Sequence, residues 1–284
     1  HHAMQDQGLP QPKLVGFIAF QFRSAMGTRN AKIRLEIADA YDRVQEAEIT
    51  GLAWECLRRN PDFGADCRSA LEALPKASPE FRQRWGLSFV ADPSHSCLEQ
   101  TVFWAPEVLP TVVPVRPVSH AVPQASVALD LGSLTDGQLR QGPDGWHAVL
   151  RLQKVEHRVW FKEAPVVAGT YAVELPLDPD FEFRADAGKR LWRALNGRPP
   201  GPPLHALSTH RRRRLALALR ALDARTDGST YREIAEVLFG AGRISERDWK
   251  THDLRNRTIR LVQSGLALMR GGYRALLRPT SRKK

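Results

Sequence analysis

Four prolines, at positions 106, 110, 114 and 117 of VFWAPEVLPTVVPVRPV, divide this chain more firmly than any other feature. Each lacks a backbone donor and fixes φ near −65°, so this spacing excludes a helix and argues against a central strand. The stretch reads as an extended connector that follows the aromatics Trp85 and Trp104. A domain boundary is expected at residues 112–125.

The chain has a different period on either side of that connector. Residues 38–111 read as a small helical domain. In ITGLAWECLRRNPDFGADCRSALEALP, Thr50 is expected to cap a helix carrying Leu52, Ala53, Cys56 and Leu57. Asn60 ahead of Pro61 is a restart, a capping residue before proline at the first helical position. Leu71 and Leu74 then face back, and the pair is open to reading as a small helix-turn-helix. Residues 126–203 begin with short runs, SVALDL, WHAVLRLQ, HRVWF and TYAVELPL, separated by turn signals at 143–145 and 168–169. A small antiparallel sheet follows from them. In WHAVLRL, Trp146, Ala148 and Leu150 share one side and His147, Val149 and Arg151 the other. DPDFEFRADAGKRLWRALNG returns to helix with Gly197 as its stop, Trp160 and Trp192 are expected in the core, and RPPGPP at 198–203 is a stiff spacer. The fold class is α+β, mainly helical.

The net charge of +11 is unevenly placed. Residues 185–284 hold 23 Lys and Arg against 8 Asp and Glu, whereas residues 1–184 hold 19 against 23. A one-sided basic field attracts polyanions. The basic part, residues 204–278, reads as a helix-turn-helix-like DNA-binding region followed by a basic tail at 279–284. Ser208 or Thr209 opens a helix with Leu215, Leu219 and Leu222 on its core side. Arg211, Arg212, Arg213 and Arg214 crowd its first turn, where the helix dipole disfavours cations. Gly228 ends it. Thr230 and Glu233 form a capping box for a short helix burying Ile234, Ala235, Val237 and Leu238, which Gly240 stops.

A longer helix follows the GAGRIS turn, with Ser245 and Thr251 as competing starts. At 100° per residue, Leu254, Thr258, Leu261, Val262, Gly265, Leu268 and Met269 form one apolar stripe. The opposite side collects His252, Asn256, Arg260 and Gln263, which are the candidate readers of base edges. Arginine bonds guanine bidentately, and Asn or Gln does so with adenine. Arg211, Arg212, Arg213, Arg214, Lys250, Arg255 and Arg257 are the candidate phosphate contacts. A solvated charged face is the competing account of the same residues.

WECLRRNPDFGADC, WGLSFVADP and FWAPEVLP resemble the small N-terminal domain of a group of proteobacterial regulators. RRRRLALALRALDARTDGSTYREIAEVLFG, WKTHDLRNRTIRLVQSGLALMRGGYRALL and RLWRALNGRPPGPP resemble their C-terminal domain. The combination is similar to the FseA-type, frameshift-fused excision activators of integrative and conjugative elements in rhizobia, over about residues 45–278. That resemblance implies an activator that turns on an excisionase gene and so starts excision and transfer. It also implies control by a small antiactivator protein. Promoter DNA and RNA polymerase are the other implied partners.

Other classes compete. His210 with Arg213 has the His-x-x-Arg spacing of tyrosine recombinases, with Tyr231 or Tyr273 as nucleophile, but the match sits in an arginine run where chance hits are easy. An accessory DNA-binding factor without an activating role, or a module whose basic face binds an acidic protein, would share the basic helix. No enzyme is expected: no Ser-His-Asp set, Gly-rich phosphate loop or carboxylate-rich metal site stands out. Cys56, Cys67 and Cys97 are odd in number and form no metal or disulfide pattern, so no metal or cofactor is expected and a reducing, bacterial cytoplasm is. No run reaches the ~18 apolar residues of a membrane span. Residues 1–37 comprise HHAM, set aside as a tag scar, and a segment containing the apolar run GFIAFQF.

Overall fold

A computed structural model of the chain describes residues 41–73, 78–118, 128–132, 134, 138–166, 168–203, 206–240, 249 and 253–278. The GFIAFQF run, Leu74, the capping signals at Ser245 and Thr251, much of the expected connector and the basic tail lie outside them.

Residues 41–46 are helical and lead into α1 (Ile49–Leu57), which buries Leu52, Ala53, Trp54, Cys56 and Leu57. Thr50 does not cap α1. It lies inside the helix and is buried, and Glu48 at the cap position makes no side-chain capping bond. The reason is tertiary: the Thr50 carbonyl accepts from Trp104 Nε1 at 3.2 Å, and its hydroxyl accepts from Arg158 Nη2 at 3.2 Å. α2 (Pro61–Ala73) starts as its sequence implies, with Asn60 Oδ1 accepting from the backbone N–H of Asp62 at 2.9 Å. Ahead of the proline-rich stretch lies a further helix, α3 (Pro79–Trp85). The Ser78 hydroxyl caps it by accepting from Phe81 N at 3.2 Å, and Gly86 at φ 75° ends it.

The expected connector supplies a strand. β1 (Val113–Pro117) lies inside a five-stranded sheet of order β3-β4-β5-β1-β7. The others are β3 (Leu139–Gly142), β4 (Gly145–Leu152), β5 (Val155–Phe161) and β7 (Tyr171–Val173), while β2 (Leu129–Asp130) and β6 (Ala168–Gly169) form a separate pair. Proline loses its donor but keeps its acceptor, and β1 accepts hydrogen bonds on both of its edges. The Pro114 carbonyl takes Glu174 N–H at 2.9 Å and the Val115 carbonyl takes Lys162 N–H at 3.3 Å. The sheet is therefore mixed rather than wholly antiparallel, because β1 runs parallel to β5. The chain between them provides the crossover that parallel strands need.

Both faces of β4 are covered, with the alternation its sequence implies. Ala148 and Leu150 pack with Ala187 and Leu191 of α4 (Phe181–Leu195). On the other face, Val149 packs with Phe89 and Phe103, and the Phe89 ring stands edge-on to His147. Gly197 ends α4 at φ 67°. Trp192 departs from the expected core position. It is 52% exposed, with the Arg198 guanidinium over its ring, because the buried side of α4 is the stripe of Arg184, Ala187, Gly188, Leu191 and Ala194.

The C-terminal part comprises α5 (Thr209–Thr226), α6 (Tyr231–Phe239), α7 (Asp253–Ala267), a π-helical turn at Leu268–Gly272 and α8 (Arg274–Leu277). The long terminal helix is thus broken where Gly271 adopts φ 127°. The largest apolar cluster mixes both ends of the chain: Trp54, Trp85 and Trp104 share it with Leu215, Leu219, Tyr273, Leu276 and Leu277.

A polar network reinforces that union. Asp223 of α5 accepts from Arg59 Nε at 2.7 Å and Nη2 at 2.8 Å, and from the Tyr41 hydroxyl. Arg59 Nη1 continues to the fully buried Glu55 at 2.7 Å, which also takes Arg58 at 2.7 Å and the Cys97 N–H at 2.9 Å. Burial works to raise the Glu55 pKa, but Arg59, Arg58 and the Cys97 N–H outweigh it and hold the carboxyl at about 2. A lowered carboxylate pKa gives stability that is present above its unfolded value of about 4.5 and is lost as pH falls toward 2. Glu55→Gln is expected to lose about 3 kcal/mol at pH 7. In urea unfolding at pH 7 and pH 3, the gap from the native chain narrows at the lower pH. An equal gap at both would show that the carboxylate charge is not what holds the network.

Candidate nucleic-acid interface

α5, α6 and α7 form a three-helix unit whose ends are set locally. Ser208 caps α5, its hydroxyl accepting from Arg211 N at 3.3 Å. Thr230 and Glu233 make the full capping box on α6, with Thr230 N donating to Glu233 at 2.7 Å and Glu233 N to the Thr230 hydroxyl at 3.3 Å. The backbone and hydroxyl hydrogen bonds from Thr230 keep the Glu233 pKa below its ordinary value. Ile234 and Ala235 are buried as expected, whereas Val237 is 48% exposed. On the helical wheel, Val237 lies roughly 120° from the centre of the stripe formed by Ile234, Ala235 and Leu238.

α7 runs back along α5. Gly265 presses on Ala218 and Leu222, Leu254 packs with Ala235 at one end, and Tyr273 and Leu276 share the cluster of Leu215 and Leu219 at the other. The apolar stripe is the one its periodicity implies: Leu254, Thr258, Leu261, Val262, Gly265 and Met269 are buried, and Leu268 is half-buried. Thr258 is tolerated there because its hydroxyl donates to the Leu254 carbonyl at 2.8 Å, so no polar group is left unpaired.

The opposite face of α7 is polar and exposed. Arg255, Asn256, Arg257, Arg260 and Gln263 all point away from the core, and no carboxylate pairs with these arginines among the described residues. The Arg257 guanidinium sits 4.5 Å above the ring of Phe239, the last residue of α6, which orients it. Lys250 and His252 lie outside the described residues. The arginine run on α5 divides. Arg211, Arg213 and Arg214 are exposed, while Arg212 is half-buried and its Nη1 donates to the carbonyls of Gln45 at 3.1 Å and Ala47 at 2.6 Å. The structure does not bring the run onto the α7 face: the two groups sit at opposite ends of the helix pair, roughly 25 Å apart along the axes. The Tyr273 hydroxyl is buried and donates to the Trp85 carbonyl at 2.9 Å, which commits it structurally. No group of three His, Cys, Asp or Glu able to hold a metal occurs among the described residues, and none of their helices is long and apolar enough to cross a membrane.

A short capped helix followed by a longer one that presents arginine, asparagine and glutamine is the arrangement of a helix-turn-helix DNA-binding unit. Comparison with known families agrees. Residues 174–278 match a family model described as a T6SS transcription factor, DNA-binding domain, and residues 36–90 match a proteobacterial transcriptional regulator-like domain. No curated protein matches the chain. The chain is a transcriptional regulator of proteobacterial type that carries a DNA-binding domain. The first match covers α4 to α8 and the second α1 to α3, with the sheet between them.

The close approach of α5 and α7 is testable. A Cβ on Gly265 would stand 2.7 Å from the Ala218 carbonyl oxygen and 2.9 Å from Leu222 Cβ. Gly265→Ala must therefore push the helices apart, and a loss of about 1–3 kcal/mol is expected in thermal or urea unfolding, with weaker DNA binding. Unchanged stability would mean that the two helices are not in contact at this point.

Proposed function

We propose that this protein binds promoter DNA through α7 and activates transcription of an excisionase gene, thereby starting excision and transfer of an integrative and conjugative element. The observation that carries the DNA half is the exposed face of α7, where Arg255, Asn256, Arg257, Arg260 and Gln263 stand opposite a buried apolar stripe and, among the described residues, no carboxylate pairs with the arginines. The activating half is supported by the resemblance of the WECLRRNPDFGADC and RRRRLALALRALDARTDGSTYREIAEVLFG stretches to excision activators. In this reading the protein is not an enzyme and acts in the bacterial cytoplasm. Asn256, Arg260 and Gln263, with His252, address base edges. Arg255, Arg257 and Lys250, with Arg211, Arg213 and Arg214 farther off, address phosphates. Arg212 is the weakest member of that set, because its guanidinium is engaged by Gln45 and Ala47. The N-terminal helices meet RNA polymerase or a small antiactivator protein.

The test is binding of the full chain to an excisionase promoter fragment and to a scrambled duplex, at two salt concentrations. The promoter is preferred by ~10³ or more. Asn256→Ala and Arg260→Ala each lose roughly 1–3 kcal/mol on the promoter and little on the scrambled duplex, so each cuts the preference by about 5- to 150-fold. Arg213→Ala weakens both duplexes alike and lowers the salt slope by about 1. Equal binding of both duplexes by the unaltered protein sinks the promoter reading in favour of an accessory DNA-binding factor. No binding to either assigns the α7 face to a protein partner.

A further inference from the structure

Arg190 of α4 and Arg212 of α5 line one cavity of about 310 Å³, where α1, the sheet, α4 and the start of α5 meet. Each guanidinium is anchored at one end only. Arg190 Nη1 donates to the carbonyls of Gly201 and Pro202, and Arg212 Nη1 to those of Gln45 and Ala47. Among the described residues no carboxylate lies within ion-pair distance of either, and Glu48 and Asp186 act on Arg190 only from farther away. Two partly desolvated cations with uncommitted donors facing one space call for a counter-ion.

The carboxylates on the walls do not meet that need. Glu156 is occupied by Arg151 at 3.1 Å and Arg158 at 3.3 Å. Glu48 accepts from Glu156 N at 3.3 Å and makes no ion pair with either guanidinium among the described residues; burial, together with the neighbouring Glu156 charge, raises its pKa. His157 also lines the cavity. It is 6% exposed, and its Nε2 has no hydrogen-bond partner among the described residues, which leaves a buried polar atom unsatisfied. Burial, with Arg190 nearby, lowers its pKa to about 4, so the ring is neutral at pH 7. α5 begins at this wall, and the positive end of a long helix favours an anion. Ile49, Leu109, Val113 and Val155 give the wall an apolar part, beside Thr50, Thr111 and the Glu156-paired Arg158.

We propose that this cavity binds a small organic anion, its carboxylate or phosphate head held by Arg190 and Arg212 and its apolar body against Ile49, Leu109, Val113 and Val155. The head takes bidentate hydrogen bonds from the free edges of the two guanidinium groups. Because the walls join α1, the sheet and α4 to the start of α5 and to Leu277 of α8, an occupant also changes how the DNA-binding helices are held, and so changes DNA affinity. That second part rests on the DNA-binding reading of α7.

The test titrates the full chain with sodium benzoate and separately with sodium phosphate, against sodium chloride of equal ionic strength, by calorimetry and thermal unfolding. One of the two anions is expected to bind saturably at one site and to raise Tm beyond the chloride control. Which one does so distinguishes a carboxylate ligand from a phosphate ligand. Arg190→Met weakens binding at least tenfold, Arg190→Lys keeps part of it, and Arg68→Met, exposed on α2, leaves it unchanged. Val155→Phe narrows the cavity without touching a charge and also weakens binding, which covers the case of an Arg190 variant that fails to fold. Absence of saturable binding by both anions overturns the site, as does equal loss in Arg190→Met and Arg68→Met. Promoter affinity of the saturated protein tests the second part. No change overturns the coupling while the site stands, and a free protein that binds no DNA overturns the reading of α7 instead.

Discussion

Asp223 holds Arg59 with both oxygens, and Arg59 reaches on to the buried Glu55. This chain of charges joins α1 to the last turn of α5, across 164 residues of sequence. Around it the apolar cluster closes, with three tryptophans from the first part of the chain against Leu215, Leu219, Tyr273 and Leu276 from the last. Buried charges of this kind are costly unless every member is satisfied, and here each has at least two partners. The network makes the position of α5 relative to the N-terminal helices a matter of fixed geometry. α6 and α7 are placed in turn by packing on α5.

That dependence orders the rest. α7 lies close to α5 because Gly265 has no side chain, and closeness turns its Arg, Asn and Gln face outward. Arg212 adds a second fastening at the other end of α5, to the carbonyls of Gln45 and Ala47. The arginine run is thus two devices in one stretch. One member stitches the fold, and three remain exposed.

The helices with local punctuation were legible in the sequence. Asn60-Pro61, Thr230 with Glu233, Ser208 and Gly197 each act within a few residues, so pattern alone located them. The α7 stripe was legible for the same reason, since its period is a property of one element. What escaped were contacts made at a distance. Thr50 looked like a cap, but its position is decided by Trp104 and Arg158. The prolines of β1 looked prohibitive because the hydrogen bonds that β1 accepts depend on β5 and β7. The exposure of Trp192 and Val237 depends on which neighbours cover α4 and α6. Arg190, Arg212 and His157 carry no common motif, and only the fold brings them to one cavity. Arg212 shows the limit most clearly: nothing in an arginine run marks which member turns inward.

The residues that complete the first core are made some two hundred residues after it. Tyr273, Leu276 and Leu277 fill the cluster around Trp54, Trp85 and Trp104, and the Tyr273 hydroxyl bonds the Trp85 carbonyl. During synthesis the early helices must therefore wait with an open apolar face until the final turn of α8 has left the ribosome. A chain cut short before residue 273 would keep its arginine run, yet lose Leu277 from the cavity wall and leave its tryptophans uncovered, the kind of surface that chaperones and proteases meet in unfinished chains. Loss of the last helix is thus felt first in the N-terminal core.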